Sequence, residues 1–87
     1  MNAVTPLPQL TLDRIAPGTE AIVTDVQAPA GAADWARWLH DIGFVPGERV
    51  RLMRRAPGGD PIVLRVGTST FALRRAEAAC VLVEPAG

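Results

Sequence analysis

The stretch Leu39-His40-Asp41-Ile42-Gly43-Phe44-Val45-Pro46-Gly47-Glu48-Arg49-Val50-Arg51-Leu52 decides the fold, because helix, stop, turn and strand follow one another within it. Upstream, Trp35, Leu39 and Ile42 fall at i, i+4 and i+7, so the spacing predicts a short helix over Asp34 to Ile42 with one apolar stripe. Asp34 is placed to cap it and Gly43 to stop it. Pro46-Gly47 is a tight-turn pair, since Pro presets the first φ and Gly accepts the positive φ that follows. From Glu48 to Arg55 the periodicity is two, with Val50 and Leu52 on one face and Arg49, Arg51 and Arg55 on the other.

The same grammar extends in both directions. Pro17-Gly18 precedes the strand-like Glu20 to Val26, where a change of phase between Val23 and Val26 predicts a bulge or bend. Pro57-Gly58 precedes Pro61 to Val66, and Gly67-Thr68-Ser69 turns that run into Thr70 to Leu73 as a hairpin. A final strand is expected over Cys80 to Glu84, ended by Pro85, with single helical turns at Thr11 to Ile15 and Arg74 to Ala79. Five short strands, tight turns and one helix between strands 1 and 2 predict a mainly β chain closed into a small barrel. The domain is expected over 10–84, after a flexible segment 1–9 and before a tail 85–87.

At 87 residues the chain has room for one core, and 48% apolar against 21% charged residues supplies it. The nine basic residues are all arginine, and nine acids balance them. That zero is divided along the chain. Residues 1–48 hold two arginines against six acids, and residues 49–87 hold seven arginines against three acids. One cysteine, Cys80, and one histidine, His40, exclude an internal disulfide and a self-contained zinc site of four Cys and His ligands. The N-terminal text lacks a secretory pattern and no apolar run reaches membrane-spanning length, so the protein is expected in the cytoplasm with no direct membrane insertion. No nucleophile and base stand paired and no phosphate-cradling glycine loop is present, so an enzyme is not expected.

Four segments in order carry a resemblance: Thr11-Leu12 with Pro17-Gly18, Leu39 to Gly47, Arg55-Ala56-Pro57-Gly58-Gly59-Asp60-Pro61, and Ala72 to Ala78. Together they resemble the FeoA family. The resemblance implies an SH3-like β-barrel and a small accessory of bacterial ferrous-iron uptake that acts by contact on the FeoB transporter. It also implies transition-metal binding. Gly43, Pro46, Gly47, Asp60 and Pro61 are the family signature, read here as turn residues, with Asp60 capping its own turn.

Trp38 stands where the family pattern is polar, and at the edge of the helical stripe it is a candidate partner anchor rimmed by Arg37 and Asp41. Arg49, Arg51 and Arg65 form a candidate basic docking face, for which Arg suits carboxylates in pairs. The alternative occupant of that face is nucleic acid, which the 5% aromatic content disfavours for want of stacking platforms. The same scarcity argues against a proline-rich peptide groove. His40 and Asp41 are the candidate metal ligands for Fe²⁺ or Zn²⁺, but adjacent helical residues project about 100° apart. Any such site needs ligands from a second chain or from FeoB, and a homo-oligomer is a further candidate partner. Cys80 is expected to be buried and inert, with Phe44 and Phe71 in the core.

Overall fold

The computed structural model describes residues 10–86, so the expected segment 1–9 lies outside the described residues, as does Gly87. Strands β1 (Leu10–Thr11), β2 (Glu20–Val26), β3 (Arg49–Arg55), β4 (Ile62–Val66), β5 (Ser69–Leu73) and β6 (Val81–Pro85) form one antiparallel sheet in the order β1-β6-β2-β3-β4-β5. Helix α1 (Ala33–Asp41) lies between β2 and β3, and a single helical turn, α2 (Arg75–Ala78), precedes β6. The sheet curls as an SH3-like barrel, but among the described residues no ladder joins β1 to β5. The expected closure is therefore incomplete, and among the described residues β5 keeps a free edge.

Alternation fills the interior. Ala21 and Val23 of β2, Val50 and Leu52 of β3, Ile62, Leu64 and Val66 of β4, and Leu73 of β5 are all buried. They pack with Leu12, Leu39, Phe44, Val81 and Val83 in a single core, and Trp35, Ile42 and Phe71 lean on it from the rim. The phase change in β2 is a register shift between Val23 and Asp25. A second shift, between Leu52 and Arg54, leaves Met53 as the extra residue of β3. The last strand runs one residue later than its expected span: Pro85 pairs opposite Ala21, and the Ala86 N–H donates to the Glu20 carbonyl at 3.3 Å.

The stop at Gly43 is a Schellman motif. Gly43 takes φ +121°, its N–H donates to the His40 carbonyl at 3.1 Å, and the Phe44 N–H reaches back to the Leu39 carbonyl at 3.0 Å. Leu39 and Phe44 are both fully buried, which supplies the apolar contact that accompanies this cap. The Gly47 N–H then donates to the Val23 carbonyl at 2.8 Å and sets the start of β3 against β2. Asp34 does not cap the helix. Ala32 holds that position, without a side-chain bond, and Asp34 sits in the first turn.

Candidate functional site

On the outer face of the sheet, side chains line up in rows across the strands. Glu20 opposes Arg51, Arg51 opposes Arg65, and Arg65 opposes Thr70, so one row crosses β2, β3, β4 and β5. Arg49 lies opposite Ile22, and Arg54 opposite Val63. These arginines point outward because the inward positions of their strands are taken by Val50, Leu52, Leu64 and Val66, which dehydration drives inside. Glu20 is bonded to Arg49 at 2.7 Å and lies 3.6 Å from Arg51. Among the described residues these are the only ion pairs, so Arg65 and Arg54 carry none. An open groove of about 570 Å³ runs along this face, lined by Glu20, Glu48, Arg49, Arg51 and Arg65.

Directly opposed like charges in a sheet repel. Arg51 and Arg65 are such a pair, and a single carboxylate serves the whole row. The chemistry on offer is a cationic surface with unused guanidinium donors, suited to carboxylates. Arg55, expected on this face, leaves it. The extra residue Met53 rotates the end of β3, Arg55 comes opposite the buried Ile62, and its Nη2 donates to the carbonyls of Asp13 at 2.7 Å and Ile15 at 3.0 Å. Asp60 also differs from expectation. Its Oδ1 accepts from the Arg75 N–H at 3.1 Å, so it tethers the start of α2 instead of capping its own turn.

Helix α1 presents a separate surface. Trp38 is 41% exposed, one of the two large apolar side chains left in solvent, with Met53 the other among the described residues. His40 and Arg37 line a second groove, of about 440 Å³, with Asp25, Val26, Phe44 and Pro46. Asp41 does not line it, so His40 shares its groove with Asp25. Asp25 is engaged locally, accepting from the Val26 N–H at 2.8 Å and from Gln27 Nε2 at 3.2 Å. Among the described residues no three His, Cys, Asp or Glu side chains converge, so the donor set here does not fit a Zn²⁺ or Fe²⁺ ion held within one chain. Cys80 is buried, its Sγ 3.5 Å from the Ala76 carbonyl, and burial, with Glu77 and then Asp13 adding to it, pushes the thiol above its ordinary range.

The FeoA domain pattern matches residues 10–85, every strand of the sheet included. The chain belongs to the FeoA family. Its fold superimposes on the FeoA of Stenotrophomonas maltophilia with a TM-score of 0.80 and 41% identity, over 86% of this chain and 89% of that one. That protein was solved in complex with zinc and is described as a prokaryotic SH3 domain protein put forward as an activating factor of bacterial ferrous iron transport. The FeoA of Chlorobium tepidum matches with a TM-score of 0.77 and 32% identity, over 90% of this chain and 71% of that one. A manganese-dependent transcriptional repressor shares the fold at 20% identity and a TM-score of 0.76, over 94% of this chain and 44% of that one. No curated protein matches the chain. Membership places the chain in a family associated with ferrous iron transport whose members are small accessory components. No helix among the described residues is long and apolar enough to cross a membrane.

Proposed function

We propose that this FeoA-family chain is a non-enzymatic accessory of ferrous iron uptake that acts in the cytoplasm by docking on the cytosolic domain of a FeoB-type transporter. The observation that carries the reading is the Arg51–Arg65 opposition on an exposed face where, among the described residues, Glu20 is the one carboxylate ion-paired to the arginines. Such a face is electrostatically incomplete alone and gains from an acidic partner, chiefly in association rate and specificity. Trp38, beside Arg37, supplies an apolar anchor on α1. Nucleic acid suits the face less well, since Phe44 is buried and Phe71 leans on the core, leaving no aromatic among the arginine rows for a base to stack on.

The test is co-elution of the chain with the isolated cytosolic domain of the transporter. Wild type should be retained, Arg51→Glu/Arg65→Glu should lose retention, and Trp38→Ala should weaken it while keeping its melting temperature. Full retention by the folded double variant would remove the basic face from the interaction. Retention on single-stranded DNA at about 150 mM salt would favour the nucleic-acid alternative, because purely electrostatic binding fades steeply with salt.

A zinc-complexed relative motivates a second, narrower reading. His40 is the one imidazole of the chain and lies in an open groove, so it offers one ligand to Fe²⁺ or Zn²⁺, with the remaining ligands drawn from another chain. Zinc-dependent association that is lost in His40→Ala would support it; metal-independent association would remove it.

A further inference from the structure

We propose that the free edge of β5 captures an extended acidic segment of a partner as an added antiparallel strand, with Arg65 selecting its carboxylates. The proposal rests on the reading of the outer face as a docking surface and names the form in which the partner arrives. Three observations meet at this edge. The first is main-chain valence. Val66 and Ser69 close the β4–β5 hairpin, and the pairs then alternate between bonded and non-bonded. Phe71 and Leu73 therefore spend their N–H and C=O groups on Leu64 and Ile62, while those of Thr70 and Ala72 point away from β4. Among the described residues nothing bonds to them. Ser69, Thr70 and Ala72 are exposed, so the edge is open to a strand.

The second observation is the row that ends there. Thr70 continues Glu20, Arg51 and Arg65 across the outer face. A residue of an added strand opposite Thr70 would put its side chain on that same face, roughly 10 Å of backbone from Arg65, a gap that a Glu and an Arg span together. The third is the poor protection of this edge. Edge strands commonly discourage pairing by a lysine, a proline or a bulge. β5 reads Ser69-Thr70-Phe71-Ala72-Leu73, with none of these and an unbroken register.

Charge selects the occupant. Two copies joined edge to edge in antiparallel fashion would place both arginine rows on one face of the combined sheet, where they repel. An acidic strand completes the row instead, giving main-chain bonds for affinity and carboxylates for choice, the division of labour seen wherever peptides add to sheets.

The experiment follows the amides of Thr70 and Ala72 by NMR hydrogen exchange. The full chain is titrated with a synthetic peptide alternating glutamate and threonine, and with its lysine-threonine counterpart. Expected are binding of the acidic peptide alone and slowing of exchange at both amides by at least about tenfold, since each gains a hydrogen bond. Arg65→Glu should reduce affinity by at least about tenfold, as should Ala72→Pro, which deletes an N–H that the native ladder does not use. Should Ala72→Pro fail to fold, the wild-type exchange rates decide alone. Failure of the acidic peptide to bind overturns the proposal. So does binding that leaves both amides exchanging as before, or equal binding of the basic peptide. Slowing of the same amides with protein concentration, without peptide, makes a second copy the occupant and also overturns it. Equal retention of wild type and folded Ala72→Pro by the transporter's cytosolic domain removes the edge while leaving the transporter reading intact. Capture of the acidic peptide without retention of that domain does the reverse.

Discussion

Arg55 shows how one inserted residue changes the role of another. With strict alternation it would join Arg49 and Arg51 in solvent; because Met53 is extra, it turns to the rim and satisfies two carbonyls around the 3-10 turn at Leu12–Arg14. Bonds from a charged donor to part-buried acceptors contribute about 1.5–3 kcal/mol, of which partial solvation leaves the lower end. Arg55→Met should thus cost about 1–2 kcal/mol by urea unfolding, whereas Arg54→Met on the open face should fall within about 0.5 kcal/mol of wild type. Equal effects would mean that Arg55 is a surface charge like its neighbour. Cys80 is the other residue whose surroundings set its chemistry. Its thiol is neutral in both folded and unfolded states below its ordinary pKa of 9.0. Above that value the unfolded chain ionises first while burial holds the folded thiol protonated, so stability should decline as pH rises through and beyond 9.0. At neutral pH iodoacetamide should label Cys80 slowly in the native protein and rapidly in denaturant; native labelling at the denatured rate would show that the site is open.

At the scale of elements, α1 is the case to test, because its two tryptophans lie three residues apart and differ in burial. Trp35 leans on the core with Leu39 and Ile42, while Trp38 stays exposed. Leu39→Ala should cost about 2–5 kcal/mol as a fully buried truncation. Trp38→Ala should change stability by under about 1 kcal/mol, and a larger loss in thermal melts would make that side chain a packing residue and not an anchor. Much of this was legible from residue spacing. The stripe Trp35, Leu39, Ile42 marks the buried side, and Gly43 marks the end, because only a residue tolerant of positive φ completes the Schellman motif. The pairs Pro17-Gly18, Pro46-Gly47 and Pro57-Gly58 all place Gly at positive φ, as turn chemistry requires. What the sequence hid depends on contacts distant along the chain. Asp34 looks like a cap locally, yet the path from the preceding loop puts Ala32 there. Asp60 looks like a turn cap, yet the fold brings the Arg75 N–H to it across 15 residues. The shift at Met53 leaves no mark in a run of polar and apolar residues that reads equally well without it.

At the scale of the whole molecule, the division of the chain into an acidic first half and a basic second half does not become a simple two-sided dipole. Antiparallel pairing of β2 with β3 carries Glu20, from the acidic half, onto the arginine face, where it holds Arg49 at 2.7 Å and Arg51 at 3.6 Å. Glu20 therefore moderates the face. If the face is built for an acidic partner, Glu20 competes with that partner for the same guanidinium groups, and its removal has opposite effects on folding and on binding. Exposed pairs of this kind contribute at most about 1 kcal/mol, so Glu20→Gln should lower stability by no more than that. It also frees two arginines and adds one unit of positive charge to the face. Binding of an acidic peptide should then tighten severalfold at low salt, and its salt dependence should steepen, since charges near the surface are screened over about 10 Å at 0.1 M. Measuring unfolding and peptide affinity on the same variant separates the two roles. A large loss of stability with no gain in affinity would show that Glu20 and the arginines are a structural ladder across the sheet, and the docking face would have to be sought on α1 instead.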